Sequence, residues 1–341
     1  MGGVQLAADS FDFIAATLKR GEGRLLVLHA NIESYRDLIE LHIDGDQVQI
    51  CRRYGNLPSM LSEFRPDMLL SFKLNGDPDP YPSAAITGSD TLRWVHVGGA
   101  GVDHLGVWDP ARLTVTNSSG IHCDLMAQYS VAAMVMFTQH FRLYAHQQRE
   151  HEWRRVDCLN LRGRTVVVVG FGSIGEAVGE AARGFGMRVV GIRTTPRHSN
   201  VADEVWPVSR LADAAGEADF FIVCLPLTEH TRGLIGREVI GVLKPGAVVI
   251  NISRGGIIDE RALLEALDAD ALSGAVMDVF ATEPIPNTSP FWDHPKVIVT
   301  PHSSSDFAGW ERAVAEIFSQ NIGHLMAERP MINVVDPLRG Y

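Results

Sequence analysis

"VVVVGFGSIGEAVGEAARGFGMRVVGIRTTPR", residues 166–197, is the stretch whose reading decides the fold. Four valines in a row, without polar alternation, describe a strand covered on both faces, as in the middle of a parallel sheet. They run into Gly170, Gly172 and Gly175, and a helix-forming stretch follows. A second apolar run, "MRVVGI", then completes a strand–turn–helix–strand unit of the doubly wound kind.

Taken alone, a GxGxxG pattern is a weak signal. Here a buried strand precedes it, a helix opens from it, and the second strand ends at the right distance. Glycines permit the tight turn, the approach of the backbone to a pyrophosphate, and close helix–strand packing. The helix start adds free N–H groups and a partial positive charge. Gly170, Gly172 and Gly175, with Ser173 and Ile174 between, are therefore expected to bind a nicotinamide dinucleotide. About twenty residues after such a turn an acid ordinarily takes the ribose hydroxyls. Arg193 holds that place, with Thr194, Thr195 and Arg197 behind it. An acid there would repel a 2′-phosphate, whereas an arginine attracts one. NADP(H) is thus expected as the preferred cofactor, with NAD(H) as a second choice.

Outward from this unit the alternation continues in both directions. Downstream, "DFFIVCL", "GAVVINI", "GAVMDVF" and "KVIVTPH" look like further strands. Helical patterns lie between them, among them "DERALLEALDAD", where Asp259 can cap the helix and Glu260 suits its positive end. Upstream, "RLLVLHA", "PDMLLSF", "LRWVHVGG" and "LTVTN" read as strands, with "NLPSMLSEF" as an intervening helix. Strand–helix alternation implies a parallel sheet covered by helices, so the chain carries two α/β units. Between them, "CDLMAQYSVAAMVMFTQHFRLYAHQQREHEW" lacks Pro and Gly and predicts one long helix beginning near Asp124. "FAGWERAVAEIFSQNIGHLMAE" predicts a last helix returning to the first unit, with Ala313, Ile317 and Leu325 among its apolar positions. Phe11, Ile14 and Leu18 stand at helical spacing near the start.

At 341 residues the chain is long enough for two cores. Its 46% apolar and 21% charged residues are those of an ordinary soluble protein. A formal charge of -11 argues against nucleic acid or an anionic membrane as a general partner. No run of eighteen apolar residues suggests a membrane span, and the first twenty residues lack the features of a secretory signal. Cys51, Cys123, Cys158 and Cys224 are scattered without metal-ligand spacing and read as reduced structural thiols. A cytoplasmic protein without a metal is the expectation.

Three strand ends carry polar groups of complementary kinds. "INISRGGIID" places Arg254 just past one strand, "VMDVFATEP" places Glu283 past the next, and "VIVTPHSSS" places His302 past the last. In a parallel sheet with helical crossovers these ends share the edge of the glycine turn, where ligands bind. Each has a structural explanation when taken singly; together, at consecutive strand ends, they point to a catalytic set.

The segments "GGAGVDHL", "GFGSIG", "CLPLTEHTRGLI", "NISRGGIID", "DVFATEP" and "TPHSSS" together resemble the D-isomer-specific 2-hydroxyacid dehydrogenase family, over about residues 24–335. The glyoxylate/hydroxypyruvate reductase branch is the part most resembled. The resemblance implies a Rossmann nucleotide domain, residues 121–305, inserted into a flavodoxin-like substrate domain, residues 1–120 and 306–341. It also implies that the family's catalytic arginine, glutamate and histidine fall on Arg254, Glu283 and His302. The substrate-carboxylate loop would then fall on Ala100 and Gly101, offering backbone N–H groups. The family's cofactor contacts would fall on Leu225, Pro226, Thr231, Ile252, Ser253 and Asp278, and for Asp278 a purely structural role is an equal alternative. A homodimer is implied, its interface at the inter-unit helix and the arm after it, with Trp153 near the partner's active site.

Such residues suit the reduction of a small 2-oxo acid. His302 would act as general acid toward the carbonyl oxygen and as base in reverse. Glu283 would hold the imidazole in one orientation, and Arg254 would offer a planar fork to the carboxylate. Two other enzyme readings use the same fold: a formate-type dehydrogenase, which Glu283 disfavours because that branch has glutamine there, and a phosphite-type dehydrogenase. A third reading is a nucleotide-sensing binding protein of the corepressor kind, disfavoured by the absence of long disordered flanks and basic clusters. Phe72, Leu74, Tyr81, Phe291 and Trp292 are candidates for the pocket lining, with core packing as the alternative for each.

Overall fold

Short runs of Val, Ile and Leu become strands because helices cover both of their faces, and two separate sheets form this way in the computed structural model. Residues 8–74 and 76–337 are described. They divide into two compact units, one within residues 1–121 and 307–341, the other His122–Asp306.

The first unit begins with α1 (Ala8–Lys19), β1 (Leu25–Leu28), α2 (Arg36–Glu40), β2 (Val48–Cys51) and α3 (Leu57–Phe64). It continues through β3 (Met68–Ser71), α4 (Ser83–Thr87), β4 (Trp94–Val97) and β5 (Thr114–Asn117). Its strands are all parallel in the order β2-β1-β3-β4-β5, the flavodoxin-like arrangement. Strands β1, β3, β4 and β5 are buried at every position. The edge strand β2 was not expected from the sequence, since Gln49 in "VQIC" is exposed and the apolar run is broken.

The second unit opens with α5 (Cys123–Thr138) and α6 (Phe141–Arg149). Then come β6 (Thr165–Val169), α7 (Ser173–Gly184), β7 (Arg188–Ile192), β8 (Glu204–Trp206), α8 (Leu211–Ala215) and β9 (Phe220–Val223). Next are α9 (Arg237–Gly241), β10 (Ala247–Asn251), α10 (Glu260–Asp268), β11 (Leu272–Met277) and β12 (Val297–Val299). Among the described residues this sheet has seven strands, all parallel, in the order β12-β11-β10-β9-β6-β7-β8. The winding reverses between β6 and β9, which makes the ends of these two strands the ligand-binding switch point of a doubly wound sheet. Asp259 caps α10 as expected, its carboxylate accepting the Ala262 N–H at 3.0 Å.

The single helix expected over residues 123–153 is in fact two. It breaks at His140, which adopts φ 53. The chain that follows supplies the cause: Leu159 N–H donates to Thr138 O at 2.8 Å and Gln139 Nε2 donates to Leu159 O at 3.2 Å. Returning backbone thus takes the Thr138 carbonyl that another helical turn would need, and the Gln139 side chain fastens the same segment. The apolar face of α5 is covered within the unit. Met126, Ala127, Ala133 and Met134 enter a core shared with Val178 and Ala182 of α7. Beyond the break, Trp153 is 96% exposed.

The chain returns to the first unit as α11 (Trp310–Met326), packed on α1 and α2. Its buried stripe runs through Val314, Ala315, Phe318, Ile322 and Leu325. Of the apolar positions Ala313, Ile317 and Leu325, Leu325 belongs to it, while Ala313 and Ile317 stand at its margin. Ile14 and Leu18 of α1 join the same core. The side chain of Phe11 lies outside the described residues. Among the described residues, no helix is long and apolar enough to cross a membrane.

His96 of β4 sets a pH limit on this first unit. It is fully buried, with Nδ1 2.7 Å from Thr116 Oγ1 and Nε2 3.0 Å from Ser118 Oγ. Thr116 Oγ1 already accepts from Trp94 Nε1, so its own proton goes to Nδ1. Ser118 spends its proton on Val97 O and accepts from Nε2–H. The ring is therefore held neutral, and burial lowers its pKa from 6.5 to about 3. The unfolded chain takes up this proton below 6.5 and the folded chain does not, so stability falls as pH drops from there toward 3. Between about pH 7 and about pH 5 the loss should reach ~2 kcal/mol. Thermal midpoints of wild type and His96→Gln at both pH values test this. An equal pH dependence in the two proteins would refute it.

Candidate active site

The glycine turn is built as its three roles require. Gly170 has φ +102, and a Cβ on it would lie 2.5 Å from Cys224 O, so β6 and β9 can approach there only without a side chain. A Cβ on Gly175 would lie 2.4 Å from Gly170 O, which is how α7 sits down on the turn. Gly172, at the start of α7, is exposed and would meet nothing within 4 Å. That open backbone, next to the exposed Ser173 and half-buried Ile174, is a cradle that a ligand rather than a neighbouring atom fills.

Arg193 follows β7, its N–H donating to Trp206 O at 3.1 Å. Its Nη1 is buried and has no hydrogen-bond partner. A buried guanidinium nitrogen without an acceptor is costly and calls for an anion. Thr194 is exposed. The loop does fold back, and Arg197 Nη2 reaches Glu176 Oε1 in the first turn of α7 at 3.2 Å. Arg197 is thereby paired with a carboxylate, and Arg193 is the arginine of this loop with a donor to spare. These residues fit a dinucleotide carrying an extra phosphate.

The catalytic candidates come together at the ends of β10, β11 and β12. His302 Nδ1 and Glu283 Oε2 are 2.7 Å apart, with side chains 28% and 30% exposed. Glu283 Oε1 accepts the Phe280 N–H at 2.9 Å, so both of its oxygens are engaged. His302 has φ 53, and its N–H donates to Asp278 O at 2.8 Å. Arg254 follows β10, its Nη1 donating to Ser253 O at 2.9 Å. A Cβ on the next residue, Gly255, would fall 1.8 Å from the Phe280 carbonyl carbon. The arginine loop is thus seated directly on the backbone that leads to Glu283.

Asp278 is 1% exposed. Its carboxylate accepts from Thr300 Oγ1 at 2.5 Å, Ser303 N–H at 2.9 Å and Ser304 N–H at 3.0 Å. Of the two roles weighed for it, the one on display is to hold the segment that carries His302.

In the other unit, Gly99 O accepts from Ser118 N–H at 3.1 Å and Ala100 O from Asn117 Nδ2 at 2.7 Å. The N–H groups of Ala100 and Gly101 donate to none of the described residues. Of the pocket candidates, Phe72 and Phe291 are core residues, 0% and 2% exposed. Leu74 and Tyr81 are half-buried, and Trp292 is 46% exposed.

Residues 131–304 match the family model for the D-isomer specific 2-hydroxyacid dehydrogenase, NAD binding domain. The glyoxylate reductase of Korarchaeum cryptofilum is 30% identical over 255 residues, 72% of this chain and 76% of that one. The chain belongs to the D-isomer-specific 2-hydroxyacid dehydrogenases. It is an NAD(P)-dependent oxidoreductase. Among solved structures, a family member from Xanthobacter autotrophicus, crystallised with NADPH and MES, is 28% identical at a TM-score of 0.79. An NADPH-dependent glyoxylate/hydroxypyruvate reductase from Sinorhizobium meliloti is 25% identical at a TM-score of 0.80. Each of these two comparisons covers 94% of this dehydrogenase and 100% of the other chain.

The remaining cofactor candidates of this dehydrogenase divide by what their side chains already do. Leu225 and Pro226 are half-buried just past β9. Thr231 Oγ1 donates to Pro226 O at 2.7 Å and accepts from Thr228 N–H at 2.8 Å, so it shapes that loop. The Ile252 side chain is core, 3% exposed, and only its backbone can meet a ligand. Ser253 Oγ is bonded to Asn251 Oδ1 at 2.8 Å. Two organising residues were missed from sequence. Asn251, fully buried, accepts from Ser253 N–H at 3.1 Å and donates to Arg254 O at 3.3 Å. Glu260 Oε1 accepts the Ala281 N–H at 2.6 Å, tying α10 to the Glu283 segment. Burial, and then the nearby Glu283 charge, raise the Glu260 carboxyl above its usual range. Both residues look like ordinary strand-end and helix-start polar groups until their partners are folded around them. Only Glu260's place beside the Asp259 cap hinted at more.

Proposed function

We propose that the dehydrogenase reduces a small 2-oxo acid to the D-2-hydroxy acid, with NADPH preferred over NADH, and runs the reverse reaction with the oxidised cofactor. The observation that carries this reading is the 2.7 Å His302–Glu283 pair beside the Arg254 loop. A reduced nicotinamide, when bound, supplies hydride to the substrate's C2. The chain's own residues do the rest. Gly170, Gly172 and Gly175 give the pyrophosphate its cradle, and Arg193 gives a 2′-phosphate its cation. Arg254 takes the substrate carboxylate in a planar fork. In the first unit, Ala100 and Gly101 carry backbone N–H groups of a kind suited to a carboxylate. Because Nδ1 of His302 is held by Glu283, its Nε2 is the atom that delivers a proton to the carbonyl oxygen. The relatives' names, glyoxylate reductase and glyoxylate/hydroxypyruvate reductase, favour a short substrate side chain.

Turnover of glyoxylate, hydroxypyruvate, pyruvate and a bulkier 2-oxo acid with each reduced cofactor tests the reading. Oxidation of NADPH with the shorter acids is expected. No turnover of any of the four with either cofactor would overturn it.

The dehydrogenase is also proposed to be a homodimer. With α5 covered by α7, the surface that supports this is the region after the helix break, where Phe141, Trp153 and Leu159 are 54%, 96% and 47% exposed. Sedimentation should give twice 37.3 kDa at micromolar concentration; a monomer mass would refute the dimer.

A further inference from the structure

We propose that Tyr129, on α5, is a positioning residue for His302, acting through Thr300 and Asp278. The inference rests on the reading of His302 as the proton donor. Tyr129 OH lies 2.6 Å from Thr300 Oγ1, across 171 positions of sequence. Proton inventory fixes the direction of this chain of bonds. The Asp278 carboxylate is an acceptor throughout: Oδ1 takes the Thr300 hydroxyl and the Ser303 N–H, and Oδ2 takes the Ser304 N–H. Thr300 has one hydroxyl proton and spends it on Asp278, so toward Tyr129 it accepts. Tyr129 must therefore donate. Burial, with the charge of Asp278 nearby, pushes the phenol up to about 12, so this proton stays in place over the working pH range.

What the relay holds is the His302 turn. Thr300 stands two residues before His302 and Ser303 one after it, and both are tied to one buried carboxylate. Between them His302 keeps φ 53, a backbone state that residues other than glycine seldom hold without support. The relay fastens that turn to a helix from the other end of the unit's sequence. Tyr129 touches none of the proposed reacting atoms; its effect passes through the aim of the imidazole.

Tyr129→Phe, Thr300→Val and Thr300→Ser make the test. Losing the single bond from Tyr129 should lower kcat by about 3- to 10-fold, with KM for the 2-oxo acid and the Kd for NADPH unchanged. Thr300→Val removes both bonds and should cost about 10- to 100-fold in kcat, while Thr300→Ser, which keeps the hydroxyl, should restore most of it. A second readout does not need turnover. The Nδ1–H proton of His302, held by Glu283, should give a downfield NMR resonance that shifts or broadens in Tyr129→Phe and Thr300→Val. If wild type reduces no 2-oxo acid, the functional reading fails, and the resonance still tests the relay. Unchanged kcat and an unchanged resonance in both variants would overturn the proposal. So would a loss of kcat that follows a fall in thermal midpoint and is not rescued by Thr300→Ser.

Discussion

Replacing His302 by alanine should slow 2-oxo-acid reduction by roughly two to four orders of magnitude, the usual worth of a positioned general acid. The substitution removes the imidazole that stands at these strand ends with a carboxylate behind it at 2.7 Å. Backbone damage is a separate effect, since alanine must also adopt φ 53. His302→Asn, a residue that tolerates this conformation better, controls for it and should be similarly slow. Cofactor binding should be nearly unchanged in both, because the glycine turn and Arg193 belong to β6 and β7 rather than to β12. Single-turnover rates and NADPH titration measure the two properties separately. Near-normal turnover in His302→Ala would remove it from the role of acid.

Arg193→Asp should erode or invert the preference for NADPH. In the wild type, Nη1 of Arg193 is buried without an acceptor, and a 2′-phosphate would supply one. A charge-assisted hydrogen bond is worth about 1.5–3 kcal/mol, so losing it should change the preference by roughly ten- to a hundredfold. The new carboxylate would add repulsion of the phosphate and an acceptor for ribose hydroxyls. Arg197→Ala should change the preference less, because that guanidinium is already paired with Glu176. The comparison requires kcat/KM for NADPH and NADH at one fixed 2-oxo acid. A wild type that favours NADH would show that Arg193 does not read the phosphate.

The glycine turn, the alternation of strands and helices, and the cap at Asp259 could all be read before folding, because each is a local pattern whose physics acts within a few residues. The helix break at His140 could not. Nothing in "FTQHFRL" forbids a helix, and the hydrogen bonds that end it come from Leu159, which belongs to a segment with no regular structure of its own. The edge strands β2 and β8 escaped for another reason: both are short and partly exposed, β2 with Gln49 inside its apolar run and β8 opening on the exposed Glu204. At the candidate site, Arg254, Glu283 and His302 stood out because each follows an apolar strand. Asn251, Glu260 and Tyr129 did not, since a polar side chain announces an organising role only through partners distant in sequence. The Cys158 side chain, taken for a structural thiol, is exposed.

The strand order of the second unit has a consequence for how such an enzyme can change. Arg193 hangs from β7, on one flank of β6, whereas Arg254, Glu283 and His302 hang from β10, β11 and β12, on the other. On the function proposed above, choice of electron carrier and proton chemistry would thus be inherited on separate arms of a single scaffold. Substitutions far apart and without shared partners usually combine additively. A lineage, or an engineer, would then be able to exchange one redox currency for the other through the β7 loop while the proposed acid–base machinery is left as it was.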